Sequence, residues 1–355
     1  MTNPTHFPAA DGIRGFACLI VLALHTVVIF FEATNPALAG APKIGVWLFF
    51  VLSAFLLSSK LASTGFSWAT LSDYAGGRAL RIVPLFLISV LVYALAGVIT
   101  WQQAVETMTL TAGPMHFWTI PVELKFYVAL PAVVFVLAGA FRYAGTLGVA
   151  LTTLAGIYIQ QMLWPYWATP QSSIITSWYF SSFLCGTCIA ICYRATDGAR
   201  LAKYRDVLGS LILVAIIASI PGARYMLLDT PMTNDLLDKH LPLSILWCAF
   251  ILLFVGGSGT IGELLQHKWI VLVGAWSYPI YLFHFLILVV TAKFFPGNLP
   301  AAAGAFIASI IVGGLVHKWV EFPLNKLRTR TTERRKAAIT SQAGHHAVAG
   351  AGKRH

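Results

Sequence analysis

Polar and apolar positions along this chain fall into long blocks. Apolar runs of the roughly 17–25 residues that cross a bilayer as a helix recur, separated by short polar segments. About ten such runs can be read, near 14–31, 43–59, 79–99, 117–138, 143–163, 174–194, 205–222, 241–256, 268–291 and 300–320. The fourth is interrupted by Pro121, Glu123 and Lys125, and the eighth is short and runs into Gly256, Gly257 and Gly259. Pro121 lacks a backbone N–H, which predicts a broken or kinked helix there. The pattern predicts an all-α fold: a polytopic membrane helical bundle over 1–328, then a basic, disordered tail over 329–355. Neither an internal repeat nor a second folded domain is visible. Residues 1–13 carry no Lys or Arg and no small-residue cleavage pattern follows, so no secretory leader is predicted.

Composition sharpens this picture. The 355 residues are 58% hydrophobic and 10% charged, with a mean hydropathy of +0.76. That excludes soluble globular, disordered, collagenous and disulfide-scaffold classes. The net charge of +11 comes from 24 Lys+Arg against 13 Asp+Glu. In a membrane chain such an excess marks cytoplasmic loops, so no nucleic-acid partner is predicted. An even number of spans puts both termini on one side. Only Lys43, Arg224, Lys239 and Lys293 then fall opposite, and Lys125 lies within a span. The positive-inside rule predicts both termini cytoplasmic, in the cell membrane. One sizeable loop is expected outside, near 223–240, with Asp229, Asp235 and Asp238. The basic cluster from Lys326 onward reads as a topology anchor facing anionic lipid. Cys18, Cys185, Cys188, Cys192 and Cys248 all lie in apolar runs. The helical stripe Cys185, Cys188, Cys192 reads as packing, and no metal site is predicted.

Ionisable groups at membrane depth are costly and mark candidate sites. Arg14 and His25 are eleven positions apart, close to three helical turns, so they share one face about 16 Å apart along the axis. Arg14 falls at the cytoplasmic mouth and His25 well past the midplane. A neutral imidazole there can take a proton from a hydroxyl as a general base. The other readings are a structural histidine bonded to another helix and a snorkelling arginine anchor. Arg78 and Arg81, at i and i+3, share a face near the same mouth. Such a guanidinium pair either grips phosphate or simply sets topology. Glu123 and Tyr127, at i and i+4, also share a face. The carboxylate either orients His25, binds a polar substrate or ion-pairs in the bundle. His284 reads as a packing or cavity-lining residue, and Glu321 as the partner of a mouth arginine. Ser53 has no base beside it in sequence, which speaks against a nucleophilic role. The charged mouth and deep imidazole together predict one shared tunnel along the first helix.

These segments, in this order, resemble the integral-membrane acyltransferase family 3, which includes bacterial O-acetyltransferases of surface polysaccharides. The resemblance rests on Asp11-Gly-Ile-Arg14, the Arg-x10-His spacing ending at His25, and Phe49-Phe-Val-Leu-Ser-Ala-Phe-Leu56, where the family has Gly in place of Ala54. It continues through Arg78-x-x-Arg81, Trp118-Thr-Ile-Pro-Val-Glu123-Leu-Lys-Phe-Tyr127, Ser277-Tyr-Pro-Ile-Tyr-Leu-Phe-His284 and Glu321-x-Pro323. The family's second glutamate is Leu124 here and its glutamine is Lys125, leaving Glu123 as that motif's one carboxylate. The resemblance implies an acyl donor, usually acetyl-coenzyme A (acetyl-CoA), entering from the cytoplasm, and a glycan or lipid-linked saccharide acceptor. It implies His25 and Glu123 as catalytic residues, with Arg14, Arg78 and Arg81 on the donor and Trp118, Tyr127 and His284 on the substrate. His25 is then either general base or covalent acyl carrier. The extra hydrolase-like domain of some members is not in the sequence, so any such function is expected on a separate polypeptide. From another class, the same polar residues read as a proton-coupled transporter relaying through His25 and Glu123.

Overall fold

The structure is a computed structural model describing residues 7–195, 202–236, 239–324 and 326; the predicted tail over 329–355, Arg200 and Asp238 lie outside the described residues. Every regular element among the described residues is helical, as the block pattern predicts. Helix α1 is Ala10–Phe30, α2 Lys43–Thr64, α3 Trp68–Leu95 and α4 Trp101–Met108. Then follow α5 Thr119–Leu163, α6 Phe180–Cys192, α7 Arg205–Ala218, α8 Pro221–Leu228, α9 His240–Phe254 and α10 Gly259–Leu265. The chain closes with α11 Lys268–Ala275, α12 Ser277–Phe294 and α13 Leu299–Val316. Local chemistry sets several starts. The Ser67 and Asn298 side chains accept the backbone N–H of Thr70 and Ala301, capping α3 and α13. Thr100 and Gln103 form a reciprocal capping box on α4.

Six of these helices are long and apolar enough to cross a membrane, or up to eight if each bent pair counts as one span. The chain is therefore a multi-pass membrane protein, but about ten separate spans are not what the described residues contain. The seventh and eighth runs are parts of bent pairs, α7 with α8 and α9 with α10, each turning by 92°. The sixth forms only a 13-residue helix, α6. The ninth breaks at Trp276 between α11 and α12.

The fourth and fifth runs lie in one element, α5, with non-helical backbone at Ala144 and Gly145, where Gly145 has φ 59°. A Cβ added at Gly148 would lie 2.5 Å from the Ala140 carbonyl oxygen. In a straight helix eight residues span about 12 Å, so the chain doubles back at this break. The two far ends of α5 meet the same loop: Val122 accepts from Thr176, and Gln160 donates to the Ser177 carbonyl. Pro121 does not break the helix, contrary to the expectation. It lies in the first turn of α5, where backbone N–H groups have no intrahelical acceptor to lose.

Helix α1 packs against α2, α11, α12 and α13, and α2 against α5, α6 and α9. Glycine sets the closest of these crossings. A Cβ at Gly274 on α11 would come within 1.8 Å of the Asp11 carbonyl, and one at Gly15 within 2.1 Å of the Ile270 carbonyl. Backbone touches backbone there, as small residues allow in membrane bundles. This crossing fixes the depth and rotation of the turn that carries Arg14. Gly274→Ala is expected to lower the unfolding midpoint in detergent, because overpacking of this kind costs about 1–3 kcal/mol. Scanning fluorimetry checks this, and an unchanged midpoint would show that the crossing yields without cost.

Candidate active site

The sequence places cations near the start of α1, near the end of α2 and midway along α3, and the fold gathers them. Arg14, Lys60, Arg78 and Arg81 line one cavity of about 220 Å³. Arg14 is ion-paired to Asp11, three residues earlier. Arg14 and Arg81 are near enough for their charges to repel. Two tyrosines pin the arginine-bearing helix: Tyr278 donates to the Ile82 carbonyl at 2.7 Å, and Tyr74 on α3 donates to the Tyr127 carbonyl at 3.0 Å.

Ser53, Glu123 and Tyr127 line the same cavity. The Glu123 carboxylate accepts from the Tyr127 hydroxyl at 2.7 Å and from the Ser53 hydroxyl at 2.9 Å. The i, i+4 spacing of Glu123 and Tyr127 predicts their shared face. The Ser53 contact joins helices 70 positions apart and has no sequence signal. It supplies the carboxylate neighbour that the residues flanking Ser53 lack.

His25 does not line this cavity, so the expectation of one tunnel bordered by Arg14 and His25 is corrected. The cavity reaches Tyr281 and Thr119. The Tyr281 hydroxyl donates to the His116 carbonyl at 2.8 Å and shares a 2.8 Å hydrogen bond with Thr119. Beyond this layer three imidazoles meet. The His284 ring centre is 5.1 Å from that of His25 and 5.3 Å from that of His116. His25 Nδ1 and His284 Nε2 are 3.0 Å apart. His284 and His116 are almost wholly enclosed, at 1% and 3% exposure, whereas His25 keeps partial exposure. The side-chain partner the structure gives His25 is thus His284, beside the Val21 backbone carbonyl, while the hydrogen bonds of Glu123 run to Ser53 and Tyr127.

The structure also places Trp118 and Glu321. Trp118 is 3% exposed and packs among Trp47, Phe50 and Tyr179, directly behind the cavity-lining Phe50 and Thr119. Its ring lies under the Lys43 ammonium, 5.1 Å from the ring centre. Lys43, which the sequence offers only as an opposite-side charge, also acts electrostatically on His25. Glu321 is paired with His317, one turn earlier, at 2.8 Å. The i, i+4 spacing on the last, π-helical turn brings these two side chains together. His116 is a residue the sequence reading missed. Its only signal was a histidine at the head of the fourth apolar run.

A membrane helical bundle with a guanidinium-lined cavity and a buried imidazole cluster is the class that fold and site define. The chain belongs to the acyltransferase 3 family, whose acyltransferase domain matches residues 7–318. It is similar to the O-acetyltransferase OatA of Staphylococcus aureus strain NCTC 8325 / PS 47, with 22% identity over 92% of this chain and 58% of the relative. The Putative O-acetyltransferase SACOL0978 of S. aureus strain COL is also 22% identical, over 90% of this chain and 58% of its own length. The chain thus spans under two thirds of these curated relatives. No solved structure matches it.

Proposed function

We propose that this chain is a membrane O-acyltransferase that moves an acetyl group from acetyl-coenzyme A to a hydroxyl of a glycan or glycolipid. Membership of the acyltransferase family and relatives named O-acetyltransferase support this reading. The observation that carries it is the pairing of a cation-lined cavity with an imidazole pair behind one hydrogen-bonded layer. Coenzyme A is a polyanion, and guanidiniums recognise phosphate bidentately. In this reading Arg14, Arg78 and Arg81 hold the donor's phosphates, and the basic end of the bundle faces the cytoplasm, where that donor is supplied. Glu123, Ser53 and Tyr127 border the donor's arm.

The acceptor approaches His25 from the other end. His25 takes the hydroxyl proton, the acceptor oxygen attacks the thioester carbonyl, and the C–S bond breaks to release coenzyme A thiolate. General-base assistance of this kind contributes about 10²–10⁴ in rate. In the second route the His25 nitrogen itself takes the acetyl group and passes it to the acceptor. Either route needs Tyr281 and Thr119 to part. A thioester is already activated, so neither route calls for a metal.

Purified protein in liposomes, given labelled acetyl-coenzyme A, is expected to release free coenzyme A and move label to an added glycan. No thioester turnover with any envelope glycan, combined with proton-driven flux of a solute, would replace this reading with the transporter one. Mass spectrometry of surface glycans from cells with and without the gene identifies the acceptor through one missing acyl group.

A further inference from the structure

The rings of His25 and His284 carry a proton order that the backbone dictates. His284 Nδ1 lies 2.7 Å from the Tyr281 carbonyl oxygen and 3.1 Å from that of Ile280. A carbonyl oxygen only accepts, so this nitrogen bears the hydrogen. A neutral imidazole has one N–H, which leaves His284 Nε2 as a bare lone pair. That lone pair is 3.0 Å from His25 Nδ1, so the hydrogen between the two rings belongs to His25. Its other nitrogen, Nε2, is then unprotonated.

We infer that His284 is a positioning residue that locks His25 in its Nδ1–H tautomer and presents His25 Nε2 as the reacting nitrogen. This inference rests on the acyltransferase reading and names the atom that does its chemistry. The lock is rigid. His284 is 1% exposed, and its ring is flanked by Tyr281 at 5.8 Å and His116 at 5.3 Å. His25 is held edge-on by Phe285 at 5.4 Å. Where metal-binding histidines are oriented by a carboxylate or carbonyl on the far nitrogen, a second neutral imidazole shares the task here with the Val21 carbonyl one turn earlier on α1. In the general-base route, the acceptor proton arrives on Nε2 and the Nδ1–H bond to His284 becomes charge-assisted. In the carrier route, Nε2 bonds the acetyl carbon as the C–S bond breaks, and the Nδ1 proton passes to His284 Nε2, leaving a neutral acyl-imidazole.

The test pairs kinetics with a direct view of the tautomer. His284→Leu removes the acceptor at similar bulk, and is expected to lower kcat by about 10–100-fold while KM for acetyl-coenzyme A holds. His284→Gln, whose amide offers an acceptor oxygen to His25 and a donor to Tyr281, is expected to restore much of that loss. In protein labelled with ¹⁵N-histidine, the His25 signals, assigned by their absence in His25→Gln, are expected to show the hydrogen on Nδ1, and a mixture in His284→Leu. Wild-type kcat in a folded His284→Leu protein, or a His25 hydrogen found on Nε2 in the wild type, would overturn the inference. Failure of the wild type to turn over any acyl donor would instead defeat the acyltransferase reading, with the spectrum still reporting the tautomer.

Discussion

His25→Ala is expected to abolish acetyl transfer while the protein still inserts and still binds its donor. The expectation follows from position. Of the three clustered imidazoles, His116 and His284 are enclosed, and His25 retains access. As a general base its loss costs about 10²–10⁴ in rate, and as an acyl carrier it removes the route altogether. The cations that line the cavity stand on the other side of the Tyr281–Thr119 layer, so donor affinity is expected to hold. Alanine also strips His284 Nε2 of its neighbour, an unsatisfied buried polar atom worth roughly 1–3 kcal/mol. His25→Gln, which keeps a donor toward His284, separates that stability cost from the chemistry. Acetylation of the glycan at the wild-type level in either variant would refute the base and the carrier roles together.

Arg81→Ala is expected to weaken coenzyme A binding by about 10–100-fold, with acceptor KM little changed. A hydrogen bond to a charged group contributes about 1.5–3 kcal/mol, and each 1.4 kcal/mol is tenfold in affinity. Arg81 faces the like charge of Arg14 in the free protein, a repulsion that a bound polyanion relieves. Removing Arg81 relieves Arg14 but also takes a favourable charge away from the buried Glu123 carboxylate, while stripping the donor of a clamp. Calorimetry of coenzyme A binding measures the loss. Unchanged affinity would sever the cavity from the donor and leave these arginines as topology signals.

How much of this was legible in the chain varies by kind of contact. Periodicity along one helix carries well: the spacing of Glu123 and Tyr127 predicted a shared face, and their side chains meet at 2.7 Å. Arg14 with the Arg78, Arg81 pair predicted a basic mouth, and all three line one cavity. Contacts between helices leave no periodic trace. His25 and His284 are 259 positions apart, and Ser53 and Glu123 are 70 apart. Nothing along the sequence says which faces will turn toward each other. The predicted tunnel failed for the same reason, since its barrier is built from Tyr281 and Thr119, 162 positions apart. The span count differed because apolar length does not report bends, such as the reversal at Ala144 and Gly145.

The Tyr281–Thr119 layer bears on the energy economy of the cell. Each proton crossing a polarised bilayer dissipates about 2.3 kcal/mol per 100 mV. An unbroken file of water from the arginines to the imidazoles would turn such a catalyst into a leak. Under the proposed acyltransferase reading, a layer a few hydroxyls thick would let a thioester be delivered from one compartment and consumed toward the other, provided the two chambers are never wet together. On that reading, turnover speed and electrical tightness would both be set by the same few hydrogen bonds.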